Sequence, residues 1–161
     1  MAPLVVLIGS YFLFWLSNRY IVKGEFSMSF IGRVSLALML VMTGSAHFFK
    51  TEVMVQSMPD FFPYKEGLVY FTGVVELLAA AGLVIDRTAK VTSIMLIIFL
   101  VCILPANIIG SLKRVELGGM ENGPIYLFFR LPLQLFFVWW IYFFGIRLKT
   151  KGKARNSKLK L

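Results

Sequence analysis

Five polar side chains interrupt otherwise apolar stretches of this chain: His47, Glu76, Asn107, Arg130 and Gln134. A carboxylate and an imidazole are the groups that exchange protons as general base and acid, so Glu76 and His47 are the catalytic candidates. With Asn107, Arg130 and Gln134 they are also candidates for a binding site, because ionisable residues inside a membrane span mark functional sites by default. Glu76 is the costliest of them. It sits near the middle of GLVYFTGVVELLAAAGLVI, residues 67–85, a stretch long enough to cross a bilayer. An acidic residue there costs about 2.5–3.5 kcal/mol on insertion scales, so it needs a partner, a proton or a water-filled cavity.

Other chemistries lack their residues. One histidine and one cysteine supply no zinc or haem cluster, and no Ser-His-Asp set assembles. No GxGxxG or P-loop occurs, and no metal site is expected. Cys102 has no second cysteine to pair with. It lies inside an apolar span, where a buried cysteine behaves as a small hydrophobe.

The elements that must position these residues are membrane spans. Of the 161 residues 58% are hydrophobic, and the mean hydropathy is +0.79. Helices apolar on every side are buried in a large core or in lipid, and a chain this short has no large core. The expected fold is all-α: a polytopic transmembrane helical bundle forming a single membrane domain. Its spans are about 3–22, 30–49, 67–85, 90–112 and 124–146. Spans two to five form a four-helix core, and the first span is an added N-terminal helix. No Lys or Arg precedes Arg19, so the first span reads as an uncleaved helix and not a signal peptide. Pro124 suits a helix start, whereas Pro105 and Pro132 are interior and predict kinks.

The charge distribution predicts orientation. Seven of the seventeen basic residues lie in the tail 147–161: Arg147, Lys149, Lys151, Lys153, Arg155, Lys158 and Lys160. A basic run after an apolar span marks a cytoplasmic flank beside anionic lipid and not a nucleic-acid patch. Placing that tail inside adds Arg19, Lys23, Arg33, Arg87 and Lys90 to the same side. Lys50, Lys65, Lys113 and Arg114 lie outside, and Arg130 falls within span five. Twelve against four predicts the N-terminus outside and the C-terminus in the cytoplasm, which in a bacterium means a multi-pass inner-membrane protein with a periplasmic N-terminus.

Counting helix rise from the outer ends puts His47 at a depth of about 3–5 Å, Asn107 at about 8 Å and Arg130 at about 9 Å. Gln134 comes out at about 15 Å and Glu76 at about 12–15 Å. All five share the outer half, on four helices. Arg130 with Gln134, Thr43 with His47, Asn107 with Ser111, and Thr72 with Glu76 and Ala80 each share one helix side. Pointed inward, these faces form a polar pocket opening outward. Above it runs the loop Lys50–Glu66, with Val53, Met54, Met58, Phe61 and Phe62 giving an apolar aspect: either an interfacial amphipathic piece or a lid. The alternative is structural. Glu76 and Arg130 then form a buried ion pair, and Asn107 and Gln134 satisfy carbonyls freed by proline, each such bond giving about 0.6 kcal/mol.

The pieces TGSAHFFKTEVMVQSMPDFFPY, LVYFTGVVELLAAAGLVIDRTAK, LPANII and RLPLQ occur in this order across about residues 33–142. In them the chain resembles the DoxX-like family of small bacterial integral membrane proteins. The resemblance implies a helical bundle whose polar set includes His47, Glu76, Asn107, Arg130 and Gln134. It also implies an association with redox or sulfur metabolism, as in membrane subunits of thiosulfate:quinone oxidoreductase, or with maturation of a partner enzyme.

Three functions follow as expectations. The first is a redox-associated membrane subunit whose outward-facing pocket takes a quinone-like or other small amphipathic ligand, non-covalently, with membrane lipids and a redox protein as partners. The second is a non-enzymatic scaffold or assembly factor docking through the outer loop. The third is a small transporter or proton pathway. No internal repeat is visible and five spans do not halve evenly, which disfavours an inverted-repeat transporter.

Overall fold

The computed structural model describes residues 2–59, 63–116 and 119–148. Those residues form an all-α bundle with no strand among them. The helices are α1 Ala2–Tyr20, α2 Met28–Phe49, the short α3 Thr51–Gln56, α4 Lys65–Val84, α5 Ala89–Leu112 and α6 Ile125–Ile141. α6 runs on as a π-helical turn, Tyr142–Arg147, and a 3₁₀ turn, Met120–Asn122, precedes it. Five helices are long and apolar enough to cross a membrane, and each ends within two residues of an expected span. Large apolar side chains such as Phe71, Leu78, Ile98, Val101 and Leu135 remain exposed around the bundle. An outward-facing apolar belt of this kind is compatible with a multi-pass membrane protein.

α2 is the central helix, packed on both α1 and α4. Its start is set by Ser27, whose Oγ accepts from the Phe30 amide at 3.1 Å, satisfying one of the open donors of a helix N-terminus. The core runs along one side of α2 through Leu36, Met39 and Leu40 to Leu83, Leu96, Phe137, Trp140 and Phe144. α1 is peripheral: it buries Leu7 fully and leaves Val5, Phe12 and Leu13 exposed. Its exit is held by Asn18, whose amide both donates to the Phe26 carbonyl (3.0 Å) and accepts from the Phe26 amide (3.1 Å).

At the end where α4 turns into α5, Arg33 departs from the sequence expectation. Counted there as a flanking charge, it is 1% exposed within α2. Its guanidinium donates to the Leu83 carbonyl at 3.0 Å and pairs with Asp86. Leu83 lies in the last turn of α4, where carbonyls lack intrahelical donors, so Arg33 closes that helix end. Nearby, Ser29 donates to the Phe144 carbonyl (2.7 Å) and the Trp140 indole donates to the Gly32 carbonyl (3.1 Å), tying the π-helical turn to α2. Cys102 is also corrected: it is exposed on α5 and forms no part of the core.

The loop between α2 and α4 begins with the six-residue α3, and Tyr64 enters α4 with φ +55°. Phe61 and Phe62, read from the sequence as part of either an interfacial amphipathic piece or a lid, lie outside the described residues, as do the basic tail positions 149–161.

Candidate functional site

The polar residues assemble as two halves at the end of the bundle that carries α3. The first half joins α2 to α4. Those helices approach closely at Gly44 and Gly73: a Cβ on Gly73 would lie 2.7 Å from the His47 Cβ, and one on Gly44 would lie 3.1 Å from the Gly73 carbonyl. The buried face of α4 is Val69, Gly73, Glu76, Ala80 and Leu83, spaced at three and four residues. Glu76 therefore faces the bundle interior at 7% exposure.

The Thr43 hydroxyl donates to the Glu76 carboxylate at 2.5 Å and lies 3.3 Å from the Leu40 carbonyl. A hydroxyl donates one hydrogen and accepts through its lone pairs. Thr43 thus serves both forms of the acid: it donates to the carboxylate, or accepts from the protonated carboxyl while turning its own hydrogen to Leu40. One turn further on, His47 Nδ1 donates to the Thr43 carbonyl at 2.9 Å. The neutral ring then keeps Nε2 as an acceptor.

The second half joins α5 to α6. Arg130 Nη2 donates to Asn107 Oδ1 (3.2 Å), and Asn107 Nδ2 reaches Gln134 Oε1 at 3.5 Å, the outer limit for such a bond. Gln134 donates in turn to the Leu100 carbonyl at 2.5 Å. That carbonyl lies five residues before Pro105, one residue short of the Val101 carbonyl that the missing proline N–H leaves without its helical donor. Gln134 therefore ties α6 to α5 through a carbonyl other than the one that Pro105 frees. Ser111 donates back to the Asn107 carbonyl at 2.9 Å.

Glu76 and Arg130 do not meet. The ion pair formed among the described residues is Arg33–Asp86, and the Glu76 and Arg130 charged atoms stay more than 4.0 Å apart. They remain close enough to act on each other electrostatically, as do Glu76 and His47. Arg130 Nε is buried without a hydrogen-bond partner. A buried guanidinium N–H left unpaired is expensive and calls for an explanation.

Sequence reasoning missed Tyr126. It lies one turn before Arg130 on the same side of α6, close enough to act on its charge, and its ring rests against Gly119. The i, i+4, i+8 spacing of Tyr126, Arg130 and Gln134 was the signal available for it. Two surface clefts lie elsewhere than the expected outward-opening pocket. One, of about 430 Å³, lies between α3 and the end of α5 and is lined by Val53, Gln56, Lys113, Arg114, Val115 and Glu116. The other, of about 340 Å³, is an apolar groove between α1 and α6. None of the five polar residues lines either.

Residues 36–145 match a family described as a domain of unknown function, DUF8561. The chain belongs to that family. The matched region holds all five polar residues and begins within α2, so α1 falls outside it. No curated protein and no solved structure matches the chain.

Proposed function

We propose that this protein is a multi-pass membrane protein that binds a small amphipathic, quinone-like molecule between its α2–α4 and α5–α6 halves, as a redox-associated membrane subunit. The observation that carries this reading is the separation of Glu76 from Arg130. Glu76 is buried and Arg130 half-buried, neither neutralises the other by contact, and the enclosed Arg130 Nε has no partner. A ligand with a carbonyl or hydroxyl oxygen supplies the acceptor that Nε lacks. Glu76, held by Thr43 in either protonation state, offers a group able to take or give a proton on the opposite side. Apolar surroundings with a few convergent polar groups are the usual pattern of a small-molecule site.

The DoxX-like resemblance belongs to the same proposal, because the residues that carry it are the ones that form both halves of the cluster. So does an inner-membrane location with the α3 end outside, which rests on the excess of basic residues at the opposite end.

The test is organic extraction of the purified protein followed by mass spectrometry, with a short-chain ubiquinone analogue as added probe. Wild type is expected to retain a stoichiometric amphipathic molecule or bind the probe. Arg130→Gln is expected to weaken retention about tenfold or more, the worth of a hydrogen bond to a charged group. Wild-type protein that retains nothing and binds no probe overturns the reading.

A second reading, interhelical glue, is favoured by the α5–α6 bonds, Gln134 to the Leu100 carbonyl and Arg130 to Asn107. It predicts that Gln134→Leu lowers thermal stability without altering probe binding.

A further inference from the structure

The polar atoms left without partners divide by chemistry between the two halves of the cluster. On α6, Arg130 Nε is buried without an acceptor, and Nη1 forms no hydrogen bond among the described residues. The Tyr126 hydroxyl, one turn earlier on the same side, forms none either. A guanidinium only donates, so this wall calls for an acceptor. On the α2–α4 side, Glu76 Oε2 takes the Thr43 hydrogen, which leaves Oε1 without a partner. His47 Nδ1 is engaged with the Thr43 carbonyl, which leaves Nε2. Glu76 can change role: ionised it accepts, protonated it donates.

Tyr126 is held by a seat of its own. Gly119, at φ +111°, precedes the 3₁₀ turn before α6. A Cβ there would lie 2.7 Å from Tyr126 Cε2 and 3.0 Å from Cδ2, so the ring rests against backbone that only glycine leaves bare. Asn122 fixes this seat by donating to the Gly119 carbonyl through its backbone N–H (3.1 Å) and its side-chain amide (3.0 Å). The ring also meets Phe129, with centroids 6.2 Å apart. Packing of this kind uses the ring and not the hydroxyl. The hydroxyl is thus a second donor, positioned one turn from Arg130.

We propose that the site is polarised and takes its ligand in one orientation, with Tyr126 as a binding residue. The ligand is an aromatic or quinonoid ring with two oxygens on opposite sides. One stays an acceptor and is held by Arg130 and Tyr126 together. The other faces Glu76, which accepts from a hydroxyl there or donates to a carbonyl. This inference rests on the reading of a quinone-like ligand between the two halves, and it adds which oxygen goes where and what holds it.

Binding of decylubiquinone and of oxygen-free decylbenzene to the full chain, in one detergent, tests it. Wild type is expected to prefer the quinone. Tyr126→Phe keeps the ring and is expected to weaken quinone binding about fivefold, the worth of one hydrogen bond, with decylbenzene binding and the unfolding midpoint unchanged. Gly119→Ala, which displaces the ring, is expected to weaken quinone binding at least as much. In an Arg130→Gln background the effect of Tyr126→Phe is expected to shrink below about twofold, because both bonds end on one oxygen. Tyr142→Phe, on the exposed surface beyond α6, is expected to bind as wild type. If wild type binds the quinone and Tyr126→Phe binds it equally well, the inference is overturned while the ligand reading stands. Equal weakening of both probes, or an undiminished effect in the Arg130→Gln background, also overturns it. Wild type that binds no quinone overturns both.

Discussion

At the residue scale the cluster depends on Thr43 as much as on Glu76. Removing the hydroxyl leaves a buried carboxylate without its donor, a loss of about 1–3 kcal/mol. Thr43→Val is therefore expected to lower the unfolding midpoint in detergent, whereas Thr43→Ser keeps most of the stability. Arg33 gives a second expectation. Arg33→Ala frees the Leu83 carbonyl at the end of α4 and opens a cavity at a fully buried site. A loss of about 2–5 kcal/mol is expected, with Asp86→Ala costing less if water reaches the guanidinium past the 61% exposed carboxylate position. Thermal unfolding of the two variants side by side checks the order. That Asn107 could reach Arg130 and Gln134 along neighbouring spans was legible in the sequence, since helix rise sets relative level. The partner of Glu76 was not: whether it meets Thr43 or Arg130 depends on the rotation of each helix about its axis, which apolar all-round helices leave open. For the same reason Arg33 read as a flanking charge when it is the closure of α4.

At the element scale the site is made by how closely α2 approaches α4. Gly73→Ala places a methyl against His47 Cβ and the Gly44 carbonyl, so the helices must separate and Thr43 must draw away from Glu76. That variant is expected to lose both stability and probe binding. Gly67→Ala is the control: nothing lies within 4 Å of a Cβ there, so it is expected to be neutral or to gain up to about 1 kcal/mol from helix propensity. Titration of the probe into both variants checks the contrast. The helices themselves were legible, because runs of about twenty apolar residues bounded by charge and turn residues leave little choice. The π-helical turn at Tyr142–Arg147 was not. Its Phe144 carbonyl accepts from Ser29 on α2, a tertiary contact that the local sequence does not reveal.

At the scale of the whole molecule, the bundle has a tightly knit end around Arg33 and Trp140 and a polar end around Arg130. Counted along the sequence, setting Arg33 aside leaves eleven flanking and tail basic residues on one side of the spans against four on the other, six of the eleven lying outside the described residues. The bias survives the correction, so fusions at the C-terminus are expected to fluoresce as cytoplasmic GFP and to be inactive as alkaline phosphatase. The reverse pattern would invert the proposed orientation. The central claim is that Glu76 and Arg130 are two sides of a ligand site and not a salt bridge. An experimental structure of the full chain in native-lipid nanodiscs tests it most directly. The account predicts density between the α2–α4 and α5–α6 halves, with an acceptor atom within hydrogen-bond distance of Arg130 Nε. A Glu76 carboxylate in direct contact with the Arg130 guanidinium, with nothing between them, would contradict it.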